Sequence, residues 1–203
     1  NYKTFGQPLL STNGGIVLMI GNNPYATGNQ IWDDNVRNLL GDLSNDYDAN
    51  HIKGRELARE RRARQIAVNF IVHHPGKFFA LMPKKFLATY KSDVDGLYYS
   101  MGMVQNPGHL FNAGYLGLKI VAELYYLAIF ALFLLELPAI LRSNNPSHRI
   151  SLYLTLYFTL VYLVYFGNAR YHFAIMPFVI MYASLFLAHR LNPDPQPPAA
   201  ATT

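Results

Sequence analysis

Two stretches near the carboxy-terminal end contain no charged residue. Ile150–Ala169 reads ISLYLTLYFTLVYLVYFGNA, and Tyr171–Ala188 follows after the single charge of Arg170. A helix needs about 20 predominantly apolar residues to cross a bilayer, with about 17 as the lower limit, so both qualify. A third candidate runs from Ile120 to Leu141, with Glu123 and Glu136 near its ends and a wholly apolar centre from Leu124 to Leu135. Carboxylates near the ends of a span can reach the interface. The pattern predicts three transmembrane helices, at about 120–141, 150–169 and 171–188.

Upstream the pattern is different. Gly15–Ile20 (GIVLMI) is a short apolar run bounded by Asn13-Gly14 and by Gly21-Asn22-Asn23-Pro24. Its β-branched content and flanking turn signals predict a short strand, which would have to pair with or pack on something else. Residues 53–72 predict a helix whose Glu60 and Arg64 are spaced for an i,i+4 pair and whose Ile66, Phe70 and Ile71 share one face. His73-His74-Pro75-Gly76 ends it. A second helix is expected from Pro75 to Tyr90, with Phe78, Phe79, Met82 and Phe86 on one face, Lys77, Lys84 and Lys85 elsewhere, and a kink at Pro83. Such an amphipathic basic helix reads equally as lying in a membrane interface or as packed on a neighbouring domain. The Pro-rich tail NPDPQPPAAATT is expected to be disordered.

Composition sharpens this division. The 203 residues are 51% hydrophobic and 14% charged, against about a quarter charged in ordinary soluble domains. Residues 1–109 hold 12 Lys/Arg and 9 Asp/Glu, whereas residues 110–203 hold 5 and 3. The net charge of +5 divides as +3 and +2, so neither part is a polybasic nucleic-acid binder. With no cysteine, disulfides and thiolate metal sites are excluded. The chain opens on Asn1 with no signal-peptide pattern and reads as a fragment or a processed product. The expected fold is mainly α. It is a polytopic membrane segment with an external, mostly helical part carrying one short strand (1–109), three transmembrane helices (110–190) and a cytoplasmic tail (191–203).

Arg142 and Arg149 flank the loop between the first two spans, and Arg190 follows the third. The excess of Lys/Arg on cytoplasmic loops places these three in the cytoplasm, and puts Arg170 and residues 1–115 outside.

Three stretches carry the chemistry. The first is Ser11-Thr12-Asn13-Gly14-Gly15 with Gly21-Asn22-Asn23-Pro24-Tyr25-Ala26-Thr27-Gly28. The second is His74-Pro75-Gly76-Lys77-Phe78 leading to Lys84-Lys85-Phe86, and the third is Arg170-Tyr171-His172 with Pro177 after it. In order and spacing they resemble the distal half of bacterial membrane glycosyltransferases of the GT-C superfamily. The likeness is to those related to protein mannosyltransferases (glycosyltransferase family 39-like) and to the aminoarabinose transferase of lipid A. The likeness covers residues 1–190. Ala174 stands where the family often has a proline. The resemblance implies a polytopic enzyme of the bacterial cytoplasmic membrane that takes sugar from a polyprenyl-phosphate carrier at the outer face. Its catalytic carboxylate would lie in a first external loop, and nothing in residues 1–203 matches that loop. No catalytic residue is therefore expected in this chain, and no cofactor or metal is implied.

The matched residues have chemistry of their own. Asn22 and Asn23 carry amides that suit sugar hydroxyls, and equally serve tight turns. Arg170 is the only charge between Arg149 and Arg190. It reads as a clamp on a lipid phosphate or as an interface anchor, with Tyr171 and His172 beside it. Asp33-Asp34 reads as a solvated turn or helix start, Asp93 and Asp95 as loop residues, and Glu123 and Glu136 as structural. His73-His74 lacks a third ligand at zinc spacing. Two functions follow. One is the carboxy-terminal part of a glycosyltransferase acting on a lipid, glycan or protein acceptor, with membrane lipids and the donor as partners. The other is a structural subunit that docks on further membrane subunits.

Overall fold

The computed structural model describes Gly6, Pro8 and residues 11–43, 52–100 and 113–191. The expected tail lies outside the described residues. The helices are α1 (Gly14–Gly21), α2 (Asp34–Asn38), α3 (Ile52–His73), α4 (Pro75–Tyr90), α5 (Asp95–Ser100), α6 (Ala113–Arg142), α7 (Pro146–Val164) and α8 (Met176–Leu191). Short 3-10 turns occupy Gly41–Leu43 and Ala169–Ala174. The chain is mainly helical, with no strand among the described residues beyond one parallel bridge, Asn29 to Gly167.

The expected strand at Gly15–Ile20 is instead helix α1. A short apolar run does not by its periodicity distinguish a buried strand from a buried helix, and here tertiary packing decides. α1 lies against α3, where Met19, Val36, Leu40, Ala63 and Ala67 form a core with Ile16, Leu18, Trp32, Leu43 and Ile66 around it. The two helices approach so closely that a Cβ on Gly15 would stand 2.3 Å from the Glu60 carbonyl oxygen. The Gly15 amide, one of the orphan donors of a helix start, donates to Glu60 Oε1 at 3.1 Å. Thr12 Oγ1 donates to Glu56. Two carboxylates of α3 therefore receive the start of α1, and they complement the positive end of its dipole. The expected Glu60–Arg64 pair is present, with both Nε and Nη2 of Arg64 on Glu60 Oε1. Asp33 caps α2 by accepting from the Val36 amide at 2.9 Å, and Asp34 pairs with Arg37 at 3.1 Å.

The chain divides into two compact units, residues 1–91 with 159–172 and residues 92–158 with 173–203, a partition different from the charge division of the sequence. The second unit is built on α6 against α8. Phe133, Ile140, Val179 and Tyr182 form its core. Phe133 lies 5.8 Å from Phe130 and 5.9 Å from Tyr182, ring centroid to centroid. Glu136 is buried and meets His189 Nδ1 at 3.1 Å, while Glu123 accepts from Ser92 Oγ.

Among the described residues α6 is the helix long and apolar enough to cross a membrane, over Gly114–Arg142. Only 22% of its apolar stretch is buried, and Leu124, Tyr125, Leu127, Leu134 and Leu135 stand exposed. A helix apolar on every side that the protein leaves uncovered suits lipid. The other two expected spans are shorter in the structure. α7 ends at Val164, before Phe166-Gly167-Asn168, and α8 starts at Met176 after the 3-10 turn, with Pro177 in its first turn, where the missing amide hydrogen costs nothing.

Candidate functional site

The three stretches that carry the chemistry meet in the first unit. α1 ends at Gly21, and the next two residues satisfy its last carbonyls through their side chains. Asn22 Nδ2 donates to the Leu18 carbonyl at 2.8 Å, and Asn23 Nδ2 donates to those of Met19 and Ile20 at 2.8 and 3.2 Å. Asn23 Oδ1 also accepts from the Tyr25 amide at 2.7 Å and so turns the chain at Pro24. Both asparagines are buried, and their amides serve helix ends.

Asn22 does more than cap. Its Nδ2 also donates to the carbonyl of Val164, the last residue of α7, at 2.8 Å. Its Oδ1 accepts from Lys85 Nζ at 3.0 Å, and Lys85 reaches the same Val164 carbonyl at 3.3 Å. A cation at a helix carboxy-terminal end is favoured by the macrodipole. Lys85 is nonetheless 0% exposed, both acceptors are neutral, and its Nζ lies 5.3 Å from the centroid of the Phe78 ring. Burial lowers its ammonium from the ordinary 10.5 to about 8.

Around this amine the backbone closes in. A Cβ on Gly21 would stand 1.6 Å from the Tyr165 carbonyl oxygen, and one on Gly167 would stand 2.2 Å from that of Lys85. Gly28, at φ +99°, leaves no room for a side chain beside Lys84, and its carbonyl accepts from the Gly167 amide at 2.8 Å. Asn168 Nδ2 donates to Gln30 at 2.9 Å. On the far side of Lys85, its carbonyl accepts from Thr89 Oγ1 at 3.0 Å. The Thr89 carbonyl lies 2.7 Å from His172 Nδ1, which fixes that nitrogen as the protonated one.

The residues singled out from the sequence thus fall into two groups. Asn22, Asn23 and His172 are buried inside the cluster. Arg170 is exposed at its edge, its Nε 3.4 Å from Asn168 Oδ1, and the half-buried Tyr171 stacks on Tyr162 at 4.9 Å. Pro177 belongs to the other unit. No family model, curated protein or solved structure matches this chain.

Lys85 belongs to the second stretch, but its burial at the centre of the cluster is not what the sequence pattern predicts. The sequence pattern sets it off the apolar face of α4, with the other lysines. In the structure the inward face of that helix is Leu81, Lys85, Ala88 and Thr89, while Phe79 and Phe86 point outward. The spacing i, i+4, i+7, i+8 marks one helical face and is a usable signal, against which only the charge of Lys85 argues. Beside Pro24, an open cavity of about 340 Å³ is lined by Leu39, Arg62, Gln65, Ile66, Asn69, Phe70 and His74. Its polar groups are an arginine, two amides and a histidine ring, with no carboxylate.

Proposed function

We propose that this chain is the carboxy-terminal part of a multi-pass membrane glycosyltransferase that transfers sugar from a polyprenyl-phosphate carrier to a lipid, glycan or protein hydroxyl. The single supporting observation is convergence. Lys85 of the second stretch donates to Asn22 of the first, 63 residues away, and His172 of the third, chosen like them only for resemblance to such enzymes, bonds the Thr89 carbonyl one turn beyond Lys85. Under this reading the protein sits in the bacterial cytoplasmic membrane with three spans and residues 1–115 outside. Arg170 contacts the carrier phosphate, Tyr171 and His172 position it, and Asn22 and Asn23 hold the loop beneath. The base that deprotonates the acceptor belongs to another part of the enzyme.

Arg170→Ala in the intact protein should weaken binding of a polyprenyl-phosphate sugar about tenfold, the size of a lost charge-assisted pair. Unchanged affinity removes Arg170 from the site. Cysteines introduced at Ser11 and Ser147 should react with impermeant reagent from opposite sides of the membrane; reaction from the same side refutes the topology.

A further inference from the structure

We infer that α4 lies along the surface of an anionic bilayer, with its outer face among the lipid headgroups and upper acyl chains. The observation is the way this helix is turned. Its polar Lys85 and Thr89 point into the first unit with Leu81 and Ala88, while Phe79, Phe86 and Leu87 point out. Gly76, Phe79, Ala80, Pro83, Phe86 and Leu87 are all exposed, and at 3.6 residues per turn they form one continuous stripe. Phe79 and Leu87 are each 62% exposed and Phe86 42%. Scattered exposed apolar residues need no explanation, but a contiguous stripe of this kind marks a contact surface.

Charge identifies what covers it. Lys77 and Lys84, seven residues apart and both exposed, run along one flank of the stripe. α4 contains no Asp or Glu. Aromatic and aliphatic groups on one side, with lysines whose stems can carry ammonium groups up to phosphates, are what a helix in the interfacial plane requires. The exposed apolar surface of α6, a helix long and apolar enough to cross a membrane, independently favours lipid as a neighbour of this chain. The inference needs no catalytic activity, so it and the glycosyltransferase reading can fail separately.

The absence of cysteine makes the test direct. Single cysteines at Phe79, Phe86 and Leu87, and at Arg62 as an exposed control, are spin-labelled in the full chain. The labelled chain is reconstituted into vesicles of phosphatidylcholine with phosphatidylglycerol, and collisions with oxygen and with a water-soluble nickel chelate are compared. Labels at 79, 86 and 87 should show an oxygen-to-nickel ratio at least about threefold above that at 62. A ratio equal to the control means the stripe faces water. Low collision rates with both probes mean another protein surface covers it. Either result overturns the inference. In pure phosphatidylcholine the ratio at 79 should fall, and the K77Q/K84Q variant should lose this dependence on lipid charge. Equal ratios in the two lipids with both lysines intact would overturn the anionic assignment.

Discussion

Around α1, α3 and α4 the closest approaches are backbone to backbone and several buried groups are polar, whereas α6 and α8 meet side chain to side chain through an apolar core. In the first unit Gly15, Gly21, Gly28 and Gly167 leave no room for a methyl group, and Asn22, Lys85, Thr89 and His172 are buried with hydrogen-bond partners. In the second, Phe133, Ile140, Val179 and Tyr182 supply the core. Directional bonds and bare backbone fix one arrangement and tolerate little; apolar packing tolerates substitution of similar volume.

The comparison is broken most sharply by the same substitution made in each region. Alanine ordinarily improves on glycine in a helix by about 1 kcal/mol. At Gly117 in α6, an added Cβ meets nothing within 4 Å, so Gly117→Ala should stabilise the chain by about 0.5–1 kcal/mol. At Gly21 the same methyl would overlap the Tyr165 carbonyl and crowd the Phe166 amide. Backbone cannot step aside as a flexible side chain can, and Gly21→Ala should cost about 3 kcal/mol or more. Unfolding of the two variants in detergent micelles should show opposite signs; two gains would mean that α1 does not press on residues 165–166.

Next in size is the effect of pH on Lys85. Its ammonium is lowered to about 8 in the folded chain by burial, whereas the unfolded chain keeps the proton to about 10.4. Between those values the unfolded state binds more protons, so stability rises with pH across that window. Below pH 8 both states are charged and the desolvation cost is present in full. The rise should total about 3 kcal/mol, and Lys85→Met should abolish it. Measured as the difference between parent and variant, the slope is free of contributions common to both chains. A flat difference would show that water reaches the amine.

The same contrast explains what the sequence disclosed. α3 and α4 were legible to within a residue or two, because Pro75 and the His-Pro-Gly break punctuate them and Glu60–Arg64 is a local pair. The apolar character of α6 was legible because it depends on composition alone. The strand expected at Gly15–Ile20 failed because the choice between strand and helix there rests on α3, some 45 residues away. The burial of Lys85 was hidden for the same reason: its partners lie 63 and 79 residues distant. Asn22, Lys85 and His172 all lie in the stretches picked by motif, but nothing in the motifs showed that the Lys85 amine is buried between them.

The smallest effect should come from the polar tie that Tyr182 makes in the second unit. Its hydroxyl donates to the His148 carbonyl at 2.7 Å, across to the first turn of α7. That carbonyl also lies within a helix, where the amide four residues on can serve it. The ring keeps its packing on Phe133, 5.9 Å between centroids. Tyr182→Phe therefore removes only neutral bonds, to the His148 carbonyl and to Ser151, whose hydroxyl keeps the Ser147 carbonyl, for a cost of about 1 kcal/mol. Asn22→Ala is the corresponding loss in the first unit, and there the Lys85 amine and the Val164 carbonyl each lose a partner. If the tyrosine change proved the more damaging of the two in the same unfolding assay, the second unit would also depend on directional bonds, and the division drawn between the two regions would not hold.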